Sequence, residues 1–267
     1  MPAPTPLSLQ IVATELARLR IQPPLVHLLT NQVVQEISAN VLLAVGAAPA
    51  MIVAEAEAAD FARMASALLV NVGTLQPAQL AVMHQAIAAA NAAQVPWTLD
   101  PVAVGVLDYR SQACQALIQL QPAAIRGNAS EILALAGFGG QGRGVDSTAG
   151  STDAVAAAQQ LARSTGAVVA VTGETDFITD GERTLAAPWG DVMMTRVVGT
   201  GCALSALAAA FTAGAPDRLH AVAAACAVAG LCGAQATALS SGPGSFKAAF
   251  LDALYQISPA TLQERYA

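Results

Sequence analysis

Apolar positions along this chain alternate between two rhythms. Leu9, Val12, Ala13, Leu16 and Leu19 keep the three-to-four spacing of one helical face, and Ser8 stands where an N-cap belongs. Pro23-Pro24 ends that segment, and a short apolar run over 25–29 follows as a strand that stops at Thr30-Asn31. The pair then repeats. The pattern predicts helix 33–45 closed by Gly46, strand 50–53, helix 54–66, strand 67–70 and helix 77–94 opened by Pro77. It continues with strand 97–99, helix 111–120, strand 123–126 and helix 130–136. Beyond a Gly-rich loop over 137–150 come helix 152–164, strand 167–171 and a hairpin of 177–179 and 183–187 around Asp180-Gly181. From 201 to about 257 the chain reads as helix, broken at 214–217 and 240–245.

Repeated strand–helix units predict a single α/β domain over 1–267, with a mostly parallel sheet between two helical layers. Ligands of such sheets bind beyond the carboxyl ends of the strands. Here those ends carry Thr30-Asn31, Asp100, Arg126-Gly127-Asn128 and Thr172-Gly173-Glu174. Any one of these is an ordinary turn sequence. Their recurrence at successive strand ends points to an active site.

Composition narrows the chemistry. Charged residues are 11% of the 267, against ~25% in ordinary soluble proteins. Hydrophobic types reach 55% with only 4% aromatic, so the apolar mass is aliphatic. Lys247 is the only lysine, and it follows Phe246. That excludes a Walker A loop, which needs Gly-Lys-Ser/Thr, and a protein-kinase strand lysine. A net charge of −6 argues against a nucleic-acid partner. Cys114, Cys202, Cys226 and Cys232 show no C-x-x-C spacing, which predicts free thiols and a reducing, cytoplasmic setting. Residues 1–7 are Pro-rich and do not have the pattern of a signal peptide. The longest apolar stretch, 219–234, is mostly Ala and short of the ~20 strongly apolar residues of a span, so it reads as a buried helix and no membrane partner is expected. The apolar surplus suits subunit contacts.

The sharpest motif is Val198-Gly199-Thr200-Gly201-Cys202-Ala203-Leu204-Ser205, a Gly-rich turn opening into an Ala-rich helix. Free N–H groups and the positive helix end there suit an anion, and Cys202 falls in the first turn, where the dipole lowers a thiol pKa. The same residues also serve as a tightly packed helix start with a buried Cys202. In Asn128-Ala129-Ser130-Glu131, Asn128 and Glu131 lie close if the segment turns helical, and with Asp100 they offer oxygens suited to Mg²⁺ through water. Glu131 interacting with a helix dipole is the alternative. Arg126, just upstream, is placed to reach a phosphate. His27, within an apolar strand, suits a structural role as well as a site.

Taken in order, these segments resemble the hydroxyethylthiazole kinases of the ribokinase-like superfamily. The resemblance rests on Pro24-Leu25-Val26-His27 with Thr30-Asn31; Ala39-Asn40; Gly46-Ala47 with Pro49 and Met51; Asn71-Val72-Gly73-Thr74-Leu75; and Leu99-Asp100-Pro101-Val102. It continues through Ile125-Arg126-Gly127-Asn128 with Glu131; Gly144-Val145-Asp146-Ser147; Val171-Thr172-Gly173-Glu174 with Asp176; Gly199-Thr200-Gly201-Cys202; and Gly242-Pro243-Gly244-Ser245-Phe246. It implies a ribokinase-like three-layer αβα fold and ATP- and Mg²⁺-dependent phosphorylation of 4-methyl-5-(2-hydroxyethyl)thiazole. It further implies a homotrimer with sites between subunits. By motif position Met51, Gly199, Asn31 and His27 fall on the thiazole side, and Arg126, Thr172 and Asn128 on the ATP side. Glu131 and Asp100 fall on the metal side. Gly199, Thr200, Gly201 and Cys202 form the catalytic turn, Cys202 standing where sugar kinases carry an Asp base. The chain departs from the family after Asp100-Pro101-Val102, with Ala103-Val104-Gly105 in place of Gly-Ala-Gly, and at Leu28-Leu29, where a smaller or polar pair is usual. A hydroxymethylpyrimidine-type kinase shares the Gly-Thr-Gly-Cys turn and is the nearest alternative. A non-catalytic thiazole or nucleotide sensor is another.

Overall fold

The computed structural model describes residues 3–138 and 151–266. Most of the Gly-rich loop, with Gly144-Val145-Asp146-Ser147, lies outside the described residues. Strands occupy β1 Thr5–Pro6, β2 Leu25–Leu29, β3 Ala48–Ala50, β4 Ala67–Asn71, β5 Trp97–Asp100, β6 Ala124–Asn128, β7 Val168–Thr172, β8 Asp176–Thr179 and β9 Thr184–Ala187. Helices occupy α1 Leu9–Ile21, α2 Gln35–Val45, α3 Glu55–Met64, α4 Pro77–Ala92, α5 Asp108–Leu117, α6 Ala129–Leu135, α7 Val155–Thr165, α8 Thr200–Thr212, α9 Arg218–Leu239, α10 Pro243–Gln256 and α11 Pro259–Tyr266.

The strands form one sheet in the order β1-β9-β8-β7-β6-β5-β4-β2-β3. Within it β8 alone runs against its neighbours. Every residue of β4 and β7 is buried, as expected for strands covered on both faces. One core lies under α1, α2, α8, α9 and α10, and the other under α3 to α7. This is the three-layer αβα arrangement that the alternating pattern predicts.

Local chemistry sets the element ends. The Ser8 hydroxyl accepts from Gln10 N–H at the start of α1. Gly46, at φ 103°, closes α2 in the left-handed conformation. The third strand occupies Ala48–Ala50 rather than 50–53. It is an edge strand paired only with β2, where Pro49 can sit without an N–H to offer. Helix α5 starts at Asp108, three residues before the apolar pattern suggests, and residues 118–120 tighten into a 3₁₀ turn. The two-residue β1 and the terminal α11 were not expected.

Helix α9 is, among the described residues, the one helix long and apolar enough to cross a membrane. It is buried over 72% of its most apolar window. Its small residues permit close approach. A Cβ on Gly230 would lie 2.4 Å from the Trp189 carbonyl oxygen, and one on Gly233 would lie 2.3 Å from Met194 Sδ. The segment carrying Trp189 and Met194 therefore lies flat on α9, and it leads directly into α8.

Gly230→Ala is expected to lower unfolding free energy by about 1–3 kcal/mol, because the obstructing atom is backbone and cannot swing aside. Gly244→Ala, whose new Cβ meets nothing within 4 Å, is expected to change it by less than about 0.5 kcal/mol. Urea midpoints of the two variants check both.

Candidate active site

Period-two alternation aligns the polar strand ends. Ala67, Leu69, Ala124 and Ala170 belong to the core under α8 and α9. Asn71, Arg126 and Thr172 share their parity and so their face. Trp97 and Leu99 pack on the opposite core, which turns Asp100 toward α8 as well. Parallel register sets Asn71 beside Asp100. Several strands thus present their polar tips to one helix end.

That helix end is the turn at 199–202. Gly199 has φ 91°, and a Cβ there would lie 2.8 Å from Ile37 Cγ2 and 2.9 Å from Val34 Cγ1, so both conformation and space demand glycine. The Thr200 hydroxyl donates to the Met194 carbonyl at 2.8 Å and fastens the turn to the preceding segment. Ser8, Asn128 and Asp217 cap α1, α6 and α9 with side-chain oxygens, whereas α8 has no side-chain cap. Its first N–H groups are left for a ligand. A Cβ on Gly201 would stand 2.8 Å from Arg126 Nη1, so the guanidinium lies directly against the turn. Arg126 Nη2 donates to Thr172 Oγ1 at 2.5 Å, and its buried Nε has no partner among the described residues. Guanidinium and free amides converge there as an anion site.

The acidic side is built by α6. Asn128 Oδ1 accepts from Glu131 N at 2.9 Å, and Glu131 Oε2 accepts from Asn128 N at 2.9 Å, a reciprocal capping box. Glu131 Oε1 accepts from Ala103 N at 2.9 Å. Ala103 has φ 59°, a left-handed conformation that favours glycine. A non-glycine residue there costs roughly 1–2 kcal/mol of strain. Among the described residues no three His, Cys, Asp or Glu side chains converge as a metal cage. Asp100 and Glu131 influence each other electrostatically, and each bonded carboxylate oxygen keeps a lone pair. That donor set fits Mg²⁺ in its usual mode, with waters and substrate phosphates completing the shell.

Burial controls the titration of these groups. It raises the Asp100 carboxyl to about 6; Glu131 adds to the rise, while Arg126 and hydrogen bonds from Ser205 and Asn71 oppose it. Cys202 is pushed up to about 11, first by burial and then by Asp100. This overturns the expectation of a dipole-lowered thiol: desolvation and a neighbouring carboxyl outweigh the helix end. Burial also raises Asp176 to about 7, against the Gly173 N–H and Arg126.

Asn31, Asp100, Arg126, Thr172, Gly199, Thr200, Gly201 and Cys202 are gathered at this edge, with Asn128 and Glu131 at the start of α6. Met51 lies just past β3, half-buried on the α8-side core. His27 does not join them. Its Nε2 bonds the Ile52 carbonyl at 2.8 Å, and its ring meets Phe61 edge-on with centroids 5.1 Å apart. Burial lowers its pKa, which keeps it neutral. Lys247 pairs with Glu36 between α10 and α2. Asn71 and Asp176 were not among the expected site residues. The strand-end position of Asn71 was the available signal for it.

Asp176 gives the site a pH signature. Its folded pKa is raised, so the unfolded chain releases this proton first and stability falls as pH rises from about 4 to about 7. Asp176→Asn still accepts from Gly173 and is expected to flatten that slope, leaving the smaller part due to Asp100. Urea midpoints between roughly pH 4.5 and 7.5 measure it.

The sequence matches the model of the hydroxyethylthiazole kinase family over residues 16–260. It is 60% identical over 248 residues to a hydroxyethylthiazole kinase of Serratia proteamaculans, covering 93% of this chain and 94% of that one. The corresponding protein of Tolumonas auensis is 58% identical over 266 residues, covering 99% and 100%. The solved hydroxyethylthiazole kinase of Pyrococcus horikoshii superposes with a TM-score of 0.88 at 35% identity, over 97% of both chains. A ribokinase-like superfamily protein of Enterococcus faecalis, at 13% identity and a TM-score of 0.67, shares the fold. With this likeness running through the strand-end residues and the turn before α8, the chain belongs to the hydroxyethylthiazole kinase family.

Proposed function

We propose that this kinase transfers the γ-phosphoryl group of ATP to the primary hydroxyl of 4-methyl-5-(2-hydroxyethyl)thiazole, with Mg²⁺, in thiamine biosynthesis and salvage. The observation that carries the reading is the contact of Arg126 with the uncapped turn at 199–202. Phosphoryl transfer passes through a loose transition state, so catalysis is mostly positioning and charge stabilisation. The free N–H groups of the turn and the Arg126 guanidinium aim at the transferring group. Asp100 and Glu131 would hold Mg²⁺ through its waters, and the ion would supply positive charge to the phosphate side of the site. Thr172 orients Arg126 on the nucleotide side, with Asn128 beside the strand end.

On the acceptor side, Gly199, Asn31 and Met51 bound the thiazole, Met51 contributing a polarizable, adaptable surface. His27 acts at a distance by holding the Ile52 backbone. Cys202 is not an efficient base: with its pKa at about 11, about one thiol in ten thousand is ionised at pH 7. The hydroxyl proton becomes acidic only as the new P–O bond forms, so the thiol serves mainly as a polar wall.

Exposed valines flank the site residues along the chain. Val33, Val53, Val192 and Val198 are 64%, 56%, 72% and 71% exposed, close in sequence to Asn31, Met51 and Gly199. That supports association as a homotrimer with the sites at subunit interfaces.

ADP release is expected to require both the thiazole alcohol and Mg²⁺, and no turnover with either omitted. Cys202→Ala is expected to keep measurable activity and Cys202→Asp to be active. Loss of activity in both, with circular dichroism unchanged, would show the thiol to be essential. Light scattering is expected to give three times the 26.9 kDa chain mass. Val198→Asp is expected to lower that mass and the activity together, and a monomeric, fully active wild type refutes the interface sites.

A further inference from the structure

We propose that Asn71 is a positioning residue for this reaction: its amide joins the Asp100 carboxylate to Asn31 and, together with Asn31, holds the Cys202 thiol at the substrate hydroxyl. Asn71 is buried at the end of β4, 1% exposed. Its Nδ2 donates to Asp100 Oδ2 at 2.5 Å. Its Oδ1 accepts from Asn31 Nδ2 at 2.9 Å and from Gly73 N at 2.9 Å. The direction of the amide is therefore fixed, with the nitrogen toward the carboxylate and the oxygen toward two N–H donors. Asn31 is fixed in turn. Its Oδ1 accepts from Val33 N at 3.1 Å, and its Nδ2 also reaches Cys202 Sγ at 3.6 Å. Three side-chain contacts thus run without a break from Asp100 to the first turn of α8.

The arrangement has two chemical consequences. Asn71 holds one oxygen of Asp100, and with Ser205 bonded to the same carboxyl its orientation is fixed. Asn31 presents an N–H to sulfur, so Cys202 is held as an acceptor and its S–H is free to turn toward the substrate hydroxyl. The polypeptide is shaped around this relay at Gly73, where a Cβ would stand 2.5 Å from Asn31 Nδ2 and 2.9 Å from Asn31 Cβ. Glycine at 73 is what lets Asn31 lie on Asn71. The proposal rests on the turn at 199–202 being the reaction centre.

The test uses Asn71→Ala, Asn31→Ala, the double variant and Gly73→Ala in the full chain. Each single change is expected to lower kcat for the thiazole alcohol about 10–100-fold, with KM for ATP shifting less than about 3-fold. The double variant is expected to be no worse than the worse single one, because the residues act as a unit. The second readout is alkylation of Cys202 by iodoacetamide, followed by mass spectrometry. Cys114, Cys226 and Cys232 are at most 1% exposed, so the native protein reports this thiol. The amide N–H donors favour the thiolate, so alkylation is expected to slow at least about 5-fold in all four variants. Gly73→Ala displaces Asn31 with Asn71 in place, and it decides the matter if Asn71→Ala does not fold. Additive losses in kcat, or an alkylation rate unchanged by Asn71→Ala and Gly73→Ala, overturn the relay. An inactive wild type whose variants still show slower alkylation instead overturns the functional reading alone.

Discussion

The contact between the Arg126 guanidinium and the backbone of Gly201 is the interaction on which the rest of the site depends. A phosphate site needs positive potential, and this chain has almost none to spare. Its single lysine is committed to Glu36 between α10 and α2. What remains is one arginine within β6 and the unsatisfied amides of α8, and they act together only if the helix can touch the guanidinium. Glycine at 201 allows that approach and glycine at 199 allows the turn that precedes it. The order of the central strands then sets the composition of the site. β5 places Asp100 on one side of Arg126, and β7 and β8 place Thr172 and Asp176 on the other.

A buried guanidinium without anions near it would be costly, and a phosphate site crowded with ionised carboxylates would repel its ligand. The two carboxyls that feel Arg126 most directly balance these demands. Burial raises Asp100 to about 6 and Asp176 to about 7, so their negative charge develops only as pH approaches neutrality, and that of Asp176 is still partial there. An arriving phosphate favours the protonated form of Asp176 further. The site can thereby accept negative charge while the arginine stays compensated in its absence. The same field acts on Cys202, where burial and Asp100 keep the thiol protonated despite its place at a helix start.

Much of this was legible in the sequence, and the gaps have identifiable physical causes. Fully buried strands such as β4 and β7 announce themselves as unbroken aliphatic runs, so the sheet and the polar residues at its carboxyl edge followed from pattern. β3 was misplaced because an edge strand buries little, and pairing with β2 rather than hydrophobicity fixes its register. By motif position the family resemblance sets His27 on the thiazole side with Asn31. Strand alternation turns it to the opposite face, where Phe61 and the Ile52 carbonyl take it. The Cys202 pKa was misjudged because a helix end is visible in sequence and burial beside Asp100 is not. Asn71 went unassigned because its role lies in the direction of its amide, which only neighbours in space define.

Shortage of charge also explains how α8 is held. Arg18 and Arg20 lie near the end of α1. The Arg18 guanidinium donates to the carbonyls of Phe211 and Ala213, the otherwise open C-terminus of α8. Arg20 donates to Val45 at the end of α2 and to Leu254 and Tyr255 of α10. Arginine suits this task because its planar fork can engage several carbonyls at once. Helix α8 is therefore gripped by a guanidinium at each end, Arg126 at the amides and Arg18 at the carbonyls. Its alanine-rich flanks lie close against the sheet and α9 in between. A turn that must meet developing charge within a fraction of an ångström gains from such a mounting, since donors that need not reorganise stabilise a transition state more than mobile ones. In this chain the rigidity of α8 does the work that a reaching lysine does in other phosphate sites.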